Sequence, residues 1–151
     1  MSLAPHGTEL DAAITQALTA LPEVRLVYIF GSRASGKMRP NSDLDIAVKF
    51  AGQPSEDDRG SLKLQLIDTL TKTLGPLGER VDLLDLDRAP TTIAFRVIVD
   101  GRLLLCRDPR ERIALEARVA RRYDDERPQR ELFRRAAHAA AARMGQVKDN
   151  G

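Results

Sequence analysis

Val24-Arg25-Leu26-Val27-Tyr28-Ile29-Phe30-Gly31-Ser32 leads, after ten intervening residues, into Asp43-Leu44-Asp45-Ile46-Ala47-Val48-Lys49. The first run is almost wholly apolar over 24–30, which reads as a central strand buried on both faces. Gly31-Ser32 follows at once. Glycine lets the backbone turn sharply and come close to a ligand, and successive N–H groups in such a turn form a concavity suited to phosphate oxygens. Residues 31–41 are rich in Gly, Ser, Pro and basic side chains and read as loop, in which Arg33, Lys37 and Arg39 are candidates for charge-assisted phosphate contacts. Residues 43–49 alternate and form a second strand.

Because side chains alternate along a strand, Asp43 and Asp45 leave the same face, while Leu44, Ile46 and Val48 leave the other and pack under helices. Two carboxylates about 6 Å apart repel by roughly 3 kcal/mol at an effective dielectric near 20. A fold gains nothing from that placement unless a cation sits between them. An all-oxygen, partly open site suits magnesium, which takes one or two carboxylates plus substrate phosphates, and the lack of nearby Cys or His argues against zinc. A third carboxylate should come from a neighbouring strand. Residues 80–86, RVDLLDL, supply Asp82 and Asp85, whose odd separation sends them to opposite faces, so only one joins the pair. Parity allows Asp82, and Asp85 is the alternative.

Working outward, residues 8–20 read as a helix with Leu10, Ile14, Leu18 and Leu21 on one stripe, ended by Pro22. A helix over 57–74 carries Leu62, Leu66, Leu70 and Leu74 at spacing four and closes at Gly75-Pro76, with Asp57-Asp58 favouring its amino terminus. Residues 91–101 are open between strand, from their β-branched content, and a short helix with a Gly stop. Residues 102–106 are a short strand, with Cys106 read as a buried small hydrophobe. Asp108-Pro109 starts a helix reaching Tyr123, Pro128 breaks it, and an Ala- and Arg-rich helix spans 129–144. This order predicts one small α/β or α+β sheet with helices on one face, plus C-terminal helices.

Composition sets limits. The 151 residues suffice for one modest core, and a single cysteine excludes an intrachain disulfide. No apolar stretch approaches the ~20 residues of a membrane span and the amino terminus shows no signal pattern, so a cytoplasmic protein without membrane association is expected. The formal net charge of +2 counts against unaided nucleic-acid binding. Residues 1–106 hold 12 basic and 14 acidic side chains and residues 107–151 hold 12 and 8, so the basic surplus lies in the tail. That tail, with Leu115, Val119, Leu132 and Phe133, suits either a solvated amphipathic helix or a docking surface for an acidic partner. His6 and His138 read as solvated.

Through the pattern G-S-x10-D-x-D and a later strand Asp, the chain resembles the nucleotidyltransferase superfamily that shares the DNA polymerase β palm. Within it the resemblance is to minimal nucleotidyltransferases (MNT), the antitoxin partners of HEPN-domain toxins. It runs from the first helix through RVDLLDLDRAP and more weakly to about Tyr123, dividing the chain into a nucleotidyltransferase domain, 1–127, and a candidate docking segment, 128–151. The resemblance implies a polymerase β-like palm in which Gly31 and Ser32 hold a triphosphate. By it, Asp43 and Asp45 bind two Mg2+ ions and Asp82 binds the one that activates the acceptor. It further implies ATP as substrate, release of pyrophosphate, and adenylylation (AMPylation) of a tyrosine on a HEPN toxin. The competing readings are a transferase acting on RNA or a small molecule, and an inactive domain that neutralises a partner by binding.

Overall fold

Residues 7–31 and 43–149 are described by the structure, a computed structural model, with side chains to residue 146. The chain runs α1 (Thr8–Thr19), β1 (Val24–Phe30), β2 (Leu44–Phe50), α2 (Glu56–Leu74), a 3-10 turn (Gly75–Arg80), β3 (Val81–Asp85), α3 (Thr91–Asp100), β4 (Arg102–Cys106), α4 (Pro109–Asp125) and α5 (Arg127–Asp149). The four strands form one sheet in the order β3-β2-β1-β4. β1 lies antiparallel to both β2 and β4, whereas β2 and β3 are parallel. The mixed α/β sheet expected from the sequence is therefore present.

Alternation along the strands divides the core. Val27, Ile29, Leu44, Ile46, Val48 and Phe50 face α1 and α2, where they meet Leu10, Ile14, Leu18, Leu66 and Leu70. Leu26, Tyr28 and Ala47 leave the other face and meet Ala94 and Val97 of α3 with Leu115 and Val119 of α4. Helices thus cover part of the second face too, which the sequence reading had left bare. At roughly 1.5–3 kcal/mol per fully buried large aliphatic side chain, these two layers supply most of the driving force for folding.

Local signals explain most boundaries. Ser55 caps α2 by accepting from Asp58 N at 3.1 Å, and Asp108 caps α4 by accepting from Arg110 N at 2.9 Å. Residues 91–100 are helical: Pro90 precedes the first turn, and Gly101 N donates to Val97 O at 2.8 Å to close the last one. Pro128 does not interrupt a helix; it stands in the first turn of α5, where its missing N–H has no partner to lose. Cys106 is half-buried against the second core rather than fully enclosed.

The α5 junction is pinned by stacking. Phe95 and Tyr123 lie with ring centroids 3.8 Å apart and 8° between planes, and the Arg130 guanidinium sits 3.4 Å from the Tyr123 ring centre. Arg130 also donates to the Tyr123 carbonyl. From Leu132 to Gln146 every residue of α5 is exposed.

Candidate active site

β1 delivers the chain to Gly31 from the middle of the sheet, and Gly31 adopts φ +74, a left-handed conformation that L side chains rarely take. A Cβ at this position would overlap Asp45 Oδ2. The glycine therefore serves both the turn and the close approach of a carboxylate. Asp45 is half-buried near the start of β2, opposite Phe30 of β1 on one side and Asp82 of β3 on the other. Direct register partners on parallel strands share a face, so Asp45 and Asp82 stand side by side. Asp82 is exposed on the edge strand. Asp43, one residue before β2, is exposed as well, and its Oδ1 lies 3.5 Å from Arg80 Nε. Ser32, Arg33, Lys37 and Arg39 lie outside the described residues, as does His6.

The choice between Asp82 and Asp85 is decided by position. Asp85 is buried on the α2 face, its Oδ2 2.7 Å from Arg59 Nη1 and its Oδ1 accepting from Asp87 N at 3.0 Å. It is the structural partner of an arginine and is turned away from Asp45. Asp87 in turn meets Lys49 at 2.9 Å and Arg118 at 3.1 Å. These ion pairs tie α2, β2 and α4 together at the far end of the sheet.

On the face shared with Asp45, Tyr28 donates to Glu116 Oε1 at 2.8 Å. Burial first, and then that hydrogen bond to a carboxylate, push its phenol above the ordinary range. Two grooves of about 460 Å³ open around residues 49–53 and 51–65, and neither is lined by Asp43, Asp45 or Asp82. Three cations of the first groove, Arg25, Lys49 and Arg118, are already paired with Glu111 or Asp87, so among the described residues its lining offers an anionic ligand no unpaired cation.

The donors gathered beside Gly31 are all carboxylate oxygens, the set that suits a hard divalent ion completed by water and phosphate. Among the described residues, no three His, Cys, Asp or Glu side chains are gathered closely enough to hold a metal as they stand. Asp45 and Asp82 are adjacent, and Asp43 meets Arg80 instead. Arg80 is the residue the sequence reading missed. Its position directly before the Asp82 strand is visible in the sequence, but its meeting with Asp43 depends on how β3 pairs with β2.

A glycine turn leaving a central strand, with carboxylates side by side on the next two strands, is the arrangement of a nucleotidyl-transfer palm. The chain belongs to the family described as Polymerase beta, Nucleotidyltransferase, whose pattern matches residues 12–110. It is 34% identical over 84 residues to Protein adenylyltransferase MntA of Shewanella oneidensis, covering 56% of this chain and 55% of that protein. The match thus spans little more than half of that relative. To Protein adenylyltransferase MntA of Aphanizomenon flos-aquae it is 30% identical over 108 residues, covering 66% of this chain and 69% of that one. Among solved structures, a toxin–antitoxin crystallised with AMP-PNP superposes with a TM-score of 0.65 at 27% identity, covering 82% of this chain and 94% of that one. No described helix is long and apolar enough to cross a membrane.

Proposed function

We propose that this chain is a magnesium-dependent protein adenylyltransferase that transfers AMP from ATP to a tyrosine hydroxyl of a HEPN-domain toxin, and so acts as its antitoxin in the cytoplasm. The observation that carries the reading is the pairing of Asp45 with Asp82 beside the Gly31 turn, on the sheet of a nucleotidyltransferase family. The similarity to two protein adenylyltransferases and to a toxin–antitoxin holding an ATP analogue supports ATP as the nucleotide and a toxin as the partner.

Asp43 and Asp45 would hold both magnesium ions and Asp82 would share the one nearer the acceptor. When bound, the metals supply charge neutralisation at the triphosphate and lower the pKa of the attacking hydroxyl. Gly31, free of a side chain, would let phosphate oxygens approach the backbone beside Asp45, and the sequence offers Ser32, Arg33 and Lys37 as further phosphate contacts. Asp82, exposed on the edge strand, would receive the proton of the acceptor hydroxyl as its oxygen bonds to the α-phosphorus and pyrophosphate leaves. The body spanning 1–127 carries this chemistry. In the segment 128–151, the exposed Leu132, Phe133 and Met144 of α5, among six Lys or Arg and two acidic residues over 127–149, form a surface for docking the partner.

The experiment is incubation with ATP labelled in its α-phosphate, magnesium, and an all-helical protein encoded beside this chain. Label on a tyrosine of that protein, lost with Asp45→Asn, is the expected result. Label on RNA or a small molecule instead, or full transfer by Asp45→Asn, would refute the proposal.

A further inference from the structure

Arg80 closes the 3-10 turn before β3, and its place is built in by the fold. The turn is anchored from within: Leu77 and Gly78 are buried, and Gly78 lies so close to the α2 backbone at Leu70 and Thr71 that a Cβ would collide there. Val81 then pairs with Leu44, so the residues one step earlier, Arg80 and Asp43, meet where the two parallel strands begin. Arg80 Nε stands 3.5 Å from Asp43 Oδ1, with the Arg80 side chain 35% exposed and that of Asp43 69% exposed. A guanidinium keeps its charge at every working pH. Held against Asp43, it offsets that carboxylate's charge and repels a divalent ion approaching the same group, so the pair opposes metal binding there.

We infer that Arg80 is a positioning residue that couples metal binding to triphosphate binding. It serves as the counter-ion of Asp43 until the nucleotide arrives, then releases that carboxylate to the metal and turns its guanidinium to phosphate oxygens. The inference rests on the assignment of Asp43 and Asp45 as metal ligands. Its consequence is that divalent ion alone binds weakly, and that ion and triphosphate bind together. An exposed ion pair of this kind shifts an equilibrium by a factor of about 1.4 to 5, and removing the charge repulsion adds to that.

The test is titration of the full chain with Mn2+, followed by the electron paramagnetic resonance of the free ion, with and without a non-hydrolysable ATP analogue. Arg80→Gln should bind Mn2+ alone about two- to fivefold more tightly than wild type, while losing most of the analogue's enhancement of metal binding. Arg80→Lys should keep part of both effects. In an Asp43→Asn background, Arg80→Gln should tighten Mn2+ binding without the analogue much less than in wild type, since the group it competes for has been neutralised, and should still lower the analogue's enhancement. Unchanged or weaker Mn2+ binding by Arg80→Gln, or undiminished enhancement by the analogue, overturns the role of Arg80. Asp45→Asn separates this failure from the deeper one. Mn2+ binding that is lost with Asp45→Asn but insensitive to Arg80→Gln overturns Arg80 alone, and binding that survives Asp45→Asn overturns the metal-site assignment and this inference with it.

Discussion

Replacing Gly31 by alanine separates backbone strain from damage to the site, because Gly52 offers a matched control. Both glycines hold left-handed backbone, φ +74 at Gly31 and φ +63 at Gly52. An L side chain in that region costs roughly 1–2 kcal/mol. For a chain of this size, with 2–4 °C per kcal/mol, each single alanine variant should lower the thermal midpoint by about 2–8 °C. Beyond that the two positions differ. At Gly52 a Cβ meets nothing within 4 Å, whereas at Gly31 it overlaps the Asp45 carboxylate. The backbone of Asp45 is fixed between Phe30 and Asp82, so the side chain must rotate away. Moving a reacting group by about 1 Å can cost on the order of a hundredfold in rate. Gly31→Ala should therefore lose about a hundredfold in single-turnover AMP transfer and bind Mn2+ with analogue more weakly, while Gly52→Ala retains both. Thermal unfolding by circular dichroism, run beside the transfer assay, checks the two halves. A Gly31→Ala protein with wild-type transfer, or a Gly52→Ala protein equally inactive, would refute the claim that Gly31 is required by the Asp45 carboxylate.

Two further predictions concern stability. Arg59→Met strands the buried Asp85 carboxylate and should cost about 3 kcal/mol, lowering the thermal midpoint by roughly 6–12 °C, with Arg59→Met/Asp85→Leu regaining most of it. A single variant as stable as wild type would show that the pair does not hold α2 to the sheet. Tyr28 tests alkaline stability, because its folded phenol is raised above its ordinary value near 10 by burial and Glu116. Above that pH the unfolded chain gives up the proton that the folded one keeps. The phenol's contribution, complete at lower pH, should then fall by about 1.4 kcal/mol per pH unit until the folded group itself ionises. Denaturant unfolding at pH 9 and pH 10.5 should show a stability loss in wild type that shrinks in Tyr28→Phe, and equal slopes would contradict it.

What could be read in the sequence was what period and local chemistry determine. The apolar run 24–30, the alternation at 43–49 and the Gly-Ser step between them place a turn beside two carboxylates without any knowledge of strand order. Alternation also narrowed the third carboxylate to Asp82 or Asp85, and could go no further, because the choice depends on which face of β3 meets Arg59 and which edge meets Asp45. Residues 91–100 were open for a similar reason. The β-branched content suits either element, and what favours the helix is tertiary: Ala94 and Val97, three apart, both bury in the core with Leu26, Tyr28 and Ala47 of the sheet.

Arg80 belongs to the same class of non-local fact. With Leu44 opposite Val81, Asp45 meets Asp82 and Asp43 meets Arg80. Sliding β3 by two residues would keep every apolar side chain on its own face. It would also set Asp43 against Asp82 and Asp45 against Leu84, and it would carry Arg80 away from the site. The hydrophobic pattern cannot choose between these registers, since both bury the same set of side chains. The choice falls to the turn at 75–80, whose buried Leu77 and Gly78 set where β3 starts. That turn therefore determines two features of the site at once: which β2 carboxylate stands beside Asp82, and which cation stands against Asp43.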